Sequence, residues 1–279
     1  MENARDAFRQ RHYGRKTYGR KTSPLSLLVR ILFALVLLAT LASGCIPSRG
    51  VVDSMARRSP AALFSVPASG DSLIAITFDD GPEPGNTGAV LEVMAEHGAR
   101  GTFFLMGSRI KAHPTLTRRI VREGHEIANH GWGPMMPLFM STNQVRAEIA
   151  RTDSLLRAFG EPRWFRPSTG FYNQRVLRAV EAEGYRIALG SVYSNDPQVT
   201  FVGAQARHIL RVVRPGDMIV LHDGIGWRTK APEILRRILP ELTRRGYRIV
   251  PLSELVEASG EVSWLPPAVS PEASGAVSR

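Results

Sequence analysis

Short apolar, β-branched runs alternate with amphipathic stretches along most of this chain. The strand-like runs fall near residues 73–78, 102–105, 125–129, 163–166, 186–190, 217–221 and 247–250. Between them apolar residues recur at helical spacing near 86–97, 114–123, 143–158, 173–183, 201–211 and 230–244. Such alternation predicts an α/β fold, here a single distorted (β/α) barrel of about seven parallel strands with the helices outside. In barrels of this kind the chemistry gathers at the C-terminal ends of the strands.

The ends of the chain read differently. Residues 1–30 are basic and polar, residues 31–44 are an apolar run closing in small residues, and Cys45, the one cysteine of the 279-residue chain, follows at once. That is the layout of a secretory signal. Leu41-Ala42-Ser43-Gly44-Cys45 resembles a lipoprotein signal with Cys45 as the lipidated thiol; the alternative is an uncleaved anchor spanning roughly Leu25 to Gly44. Either way the domain is expected to be exported and tethered to a bacterial membrane in the cell envelope. Residues 46–70, rich in Ser, Pro, Ala and Arg, read as a flexible tether, 71–256 as the folded domain and 257–279 as a disordered tail.

The formal charge of +11 changes this picture little, because Arg5, Arg9, Arg11, Arg15, Lys16, Arg20, Lys21 and Arg30 all precede the apolar run. With no finger spacing, RNA-binding signature or basic-aromatic stripe, nucleic acid is not an expected partner. A monomer is expected.

The strong polar clusters all lie just past expected strands. Asp79-Asp80-Gly81-Pro82 follows the first, Asn129-His130-Gly131 the third, Arg166-Pro167-Ser168-Thr169-Gly170 the fourth, Ser194-Asn195-Asp196-Pro197 the fifth and His222-Asp223 the sixth. Two adjacent carboxylates raise one another's pKa unless a cation stands beside them, a conflict relieved if one binds a metal and the other acts as a base.

Taken together these residues resemble the NodB-type polysaccharide deacetylases, carbohydrate esterase family four, over about Leu73 to Val256. Thr77-Phe78-Asp79-Asp80-Gly81-Pro82 is similar to the first family motif without a mismatch. Asn129-His130, Arg166-Pro167 with Gly170, Asp196, and Leu221-His222-Asp223 resemble the four that follow. The resemblance implies metal-dependent removal of N-acetyl groups from an envelope or chitin-like polysaccharide. Asp79 would be the general base, Asp80 and His130 metal ligands, His222 the general acid, Arg166 the partner of Asp79 and Asp196 that of His222. The backbone N–H of Thr169 would donate to the oxyanion, Val220 and Leu221 would line the acetyl pocket, and zinc or cobalt would be the ion, weakly held.

The weakness comes from a departure. Four residues after His130, where the family places a second metal-binding histidine, stands Pro134, and Gly131 to Leu138 contains no carboxylate or imidazole. A glycan-binding relative with impaired catalysis is therefore the alternative. Ser168-Thr169 and Pro197 also differ from the residues usual in the family, at positions that shape the sugar groove.

Overall fold

The computed structural model describes residues 47–68, 71–196, 201–224 and 230–261. In chain order the elements are α1 (Arg49–Arg58), β1 (Ala62–Leu63), β2 (Leu73–Asp79), α2 (Asn86–Glu96), β3 (Thr102–Leu105), α3 (Gly107–Ala112), α4 (Pro114–Arg122) and β4 (Glu126–Asn129). They continue with α5 (Thr142–Leu156), β5 (Trp164–Phe165), α6 (Gln174–Ala182), β6 (Arg186–Ala188), β7 (Val192–Tyr193), α7 (Val202–Val212), β8 (Met218–His222), α8 (Ala231–Arg244), β9 (Arg248–Ile249) and α9 (Leu252–Ala258).

The strands form one curved parallel sheet in the order β1-β6-β5-β4-β3-β2-β8-β7, with β9 also paired to β2. An antiparallel bridge from Ser65 to Asp217 links the chain after β1 to the start of β8. This half-barrel, with helices outside, agrees with the parallel α/β architecture expected from the alternating pattern, but it has nine strands where about seven were expected, β1 and β7 being the additions.

β2 is buried on both faces, which is why every residue from Leu73 to Phe78 except Thr77 is apolar; its polar members, Thr77 and Asp79, come at the end that opens toward the barrel mouth. Leu73 and Ala75 point into the barrel with Phe104, Ala128, Trp164, Ala188 and Met218. Ile74, Ile76 and Phe78 point outward against Leu91 of α2 and Ile234, Leu235 and Ile238 of α8. α9 plugs the end of the barrel where the strands begin, burying Leu252, Leu255 and Val256 there. The Leu252 N–H donates to Thr102 Oγ1 at 2.8 Å, and Ser253 bonds the carboxylate of Glu126.

One expectation is corrected. Much of the stretch 46–70 is folded rather than a flexible tether: α1 lies in it, and β1 pairs Ala62 with Ile187 and Leu63 with Ala188. Arg49 holds α1 in place through an ion pair to Asp217 at 2.5 Å, Asp217 being 1% exposed and also accepting from Ser191 Oγ and the Arg214 N–H. The partner of Arg49 is 168 residues away in sequence, so composition could not reveal it. The basic segment, the apolar run, Cys45, Pro197 and the tail from residue 262 lie outside the described residues. Among the described residues no helix is long and apolar enough to cross a membrane.

Candidate active site

Strand parity decides which side chains reach the barrel mouth. Leu73 and Ala75 face inward, so Thr77 and Asp79, two and four residues after Ala75, do too. Met218 faces inward, and Val220 and His222 share its parity; Ala128 leads in the same way to His130, and Trp164 to Arg166. Register completes the arrangement, since Asp79 lies opposite His222 and Asn129 opposite Phe165. Leu221 has the other parity and packs outward with Ile219 and Phe78 under the helices, wholly buried. Its expected place in an acetyl pocket is therefore corrected, and only Val220 shares a face with His222.

At the mouth Arg166 and Asp79 form a buried ion pair, 2.6 Å between Nη1 and Oδ1, with the residues 3% and 4% exposed. Arg166 also donates to Thr77 Oγ1 at 2.9 Å and, through Nε, to the Ala188 carbonyl at 2.9 Å, while its guanidinium lies 3.9 Å from the ring centroid of Phe104. A guanidinium held by this many contacts fixes the carboxylate it pairs with.

Asp80 breaks the strand alternation by taking a left-handed backbone, φ 73°. Its carboxylate comes within 3.3 Å of His130 Nε2. Burial raises the Asp80 pKa, but the hydrogen bond and charge of His130, with His222 and Arg109, outweigh it and hold the carboxyl below its ordinary value. The turn is tightly packed: a Cβ on Gly224 would collide with the Asp80 carbonyl, and one on Gly81 would lie 2.5 Å from the Asp223 carboxylate. Arg109 braces the following residues through an ion pair with Glu83.

Asp80 and His130 offer one carboxylate and one imidazole to a cation. Among the described residues no group of three or more His, Cys, Asp or Glu is placed to hold a metal ion, so none of them supplies the ligand missing at Pro134. His130 Nδ1 is buried with no hydrogen-bond partner among the described residues, and the ring meets Phe104 edge-on at 6.5 Å. A metal-bound histidine usually donates from its second nitrogen, so packing here replaces that support.

His222 is held by Asp196, whose Oδ1 lies 2.9 Å from Nδ1 and whose Oδ2 accepts the His222 N–H at 2.9 Å. Ser194 Oγ donates to the same carboxylate at 2.7 Å. Burial opposes charge on the ring, but the charge and hydrogen bond of Asp196, with Asp79 and Asp80, push the His222 pKa up to about 9. With Nδ1 committed to Asp196, Nε2 is the nitrogen left to exchange a proton. Thr169 lies half-buried in the turn after Arg166, closed by the Gly170 N–H to the Pro167 carbonyl at 2.8 Å.

The sequence reading gave no role to Thr77, Phe104, Ser194 or Thr87. Thr87 Oγ1 donates to Asp223, whose N–H in turn donates to the Asp79 carbonyl. Burial, partly countered by Thr87, pushes the Asp223 acid up to about 7, with the charges of Asp80 and Asp79 adding to the rise. Parity was a signal for Thr77; nothing local marked the others.

The sequence pattern of the polysaccharide deacetylases matches residues 67–188. A peptidoglycan-N-acetylglucosamine deacetylase of Bacillus cereus is 34% identical over 189 residues, covering 67% of this chain and 89% of that protein. The chain belongs to the polysaccharide deacetylase family. Deacetylases of this type are hydrolases of carbon–nitrogen bonds other than peptide bonds. A chitooligosaccharide deacetylase of Azorhizobium caulinodans is 33% identical, covering 65% of this chain and 93% of its own. The Bc1960 peptidoglycan N-acetylglucosamine deacetylase superposes with a TM-score of 0.66 at 29% identity, covering 70% of this chain and 92% of the other. A family 4 acetyl xylan esterase from Clostridium thermocellum, solved with a cobalt ion, gives 0.63 at 34% identity, covering 67% and 92%.

Proposed function

We propose that this deacetylase hydrolyses N-acetyl groups on an envelope or chitin-like glycan, exported and tethered through its N-terminal segment. The observation that carries the reading is the meeting of Asp79, Arg166, His130 and His222 at one barrel mouth, on four strands that share no local sequence. Asp79, pinned by Arg166, would take a proton from the attacking water. His222, protonated at neutral pH and aimed by Asp196, would give one to the departing amine. The Thr169 N–H would donate to the oxyanion as it forms.

Asp80 and His130 would hold the divalent ion, zinc or cobalt, which when bound polarises the amide carbonyl and activates water. Two protein ligands are fewer than the three usual in catalytic zinc sites, so binding should be weak. Rates should therefore depend on added metal, and Pro134→His should lower the concentration giving half-maximal acetate release by at least about tenfold. No acetate from N-acetylglucosamine oligomers at any metal level would contradict the reading. The second reading, a glycan-binding relative without catalysis, is favoured by the two-ligand set alone. An inactive wild type made active by Pro134→His would support it.

The acid role has a pH signature. An acid works while protonated, so activity falls as pH rises through its pKa. Asp196→Asn removes the charge that raises the His222 pKa. The alkaline limb of the kcat/KM profile, which reports the free enzyme and should lie near pH 9 in the wild type, should move down by more than one unit. An unmoved limb assigns it to another group.

A further inference from the structure

Among the described residues three large apolar side chains are conspicuously exposed, Met136 at 55%, Phe139 at 81% and Phe201 at 75%. All three belong to the rim that carries the catalytic groups. Met136 and Phe139 sit in and beside the short 3-10 turn Pro137–Phe139, in the loop leaving β4 just after His130. Arg175, at the start of α6, donates to the Leu138 carbonyl at 3.2 Å and ties this turn to the segment that follows Arg166. Phe201 caps the start of α7, the helix that follows β7 and ends beside the beginning of β8, so its N-terminal end lies at the same rim.

The strand order gives these positions meaning. In the run β4-β3-β2-β8-β7 the central strands β2 and β8 deliver Asp79 and His222, and the exposed side chains leave the two outer strands. Apolar side chains exposed singly are ordinary, but the three large exposed ones among the described residues all fall on the catalytic rim, on connections that leave strands to either side of β2 and β8. The occupant has to be a molecule longer than the reacting unit, with apolar faces on both sides of it. A chain of pyranose rings fits, since each ring carries C–H groups on its faces and hydroxyls around its edge. Two or three isolated side chains suit a sugar ring better than a protein interface, which would need a contiguous patch.

Resting on the function proposed above, we infer that Phe139, with Met136, and Phe201 are platforms for the sugar rings on either side of the acetylated unit. Titration of the full-length protein with the N-acetylglucosamine hexamer tests this by calorimetry, alongside acetate release. Phe139→Ala and Phe201→Ala should each raise the hexamer Kd and KM about tenfold, with kcat changing less than KM, and Phe139→Trp should bind as the wild type does. Unchanged Kd in both alanine variants, or a wild type that does not bind the hexamer, overturns the inference. An effect from one side only overturns the two-sided arrangement. A wild type that binds through Phe139 and Phe201 yet releases no acetate leaves the platforms standing and removes the catalytic reading instead.

Discussion

Replacing Asp79 with Asn should lower kcat for acetate release by about 10²–10⁴-fold, the range a positioned base contributes. The amide keeps the shape of the carboxylate but cannot take the proton of the attacking water. Arg166 loses its counter-charge in the same change while keeping Thr77 Oγ1 and the Ala188 carbonyl as acceptors. The fold should persist, checked by the far-UV spectrum and cooperative melting, so the loss can be assigned to chemistry. A variant within threefold of wild type would remove Asp79 from the role of base.

The largest effect on stability should come from Arg166→Leu. The guanidinium is buried, and its removal strands Asp79, itself 4% exposed, without a partner in the barrel interior. Breaking a buried pair by deleting one member typically costs about 3–5 kcal/mol. Urea unfolding should show a loss of that order. A lowered activity with a shift below about 1 kcal/mol would mean that water reaches Asp79 far more freely than its burial implies.

These two residues also mark how far the sequence could be read. The strands of the barrel were legible because a parallel strand covered on both faces is mostly apolar on both parities, as Leu73 to Ile76 are. β1 and β7, at two residues each, and α3, at six, were not legible. Segments so short carry no period, and tertiary contacts hold them; α1 depends on a carboxylate 168 residues away in sequence. The acids and histidines of the candidate site were legible because they stand just past strand ends. The contacts that aim them, such as Phe104 beneath Arg166 and Ser194 on Asp196, were not, for they join segments distant in sequence. Leu221 is instructive in the other direction. It precedes His222 by one position, so alternation along β8 already assigned the two to opposite faces, and resemblance to a motif obscured that.

Acetate and newly exposed amino groups, counted together during incubation of the N-acetylglucosamine hexamer with excess zinc or cobalt, test most directly whether the groups at the barrel mouth hydrolyse an amide. Equal counts that rise with time for the wild type and stay at background for Asp79→Asn are predicted. Acetate without matching amine, or the same rate from both proteins, would contradict the account.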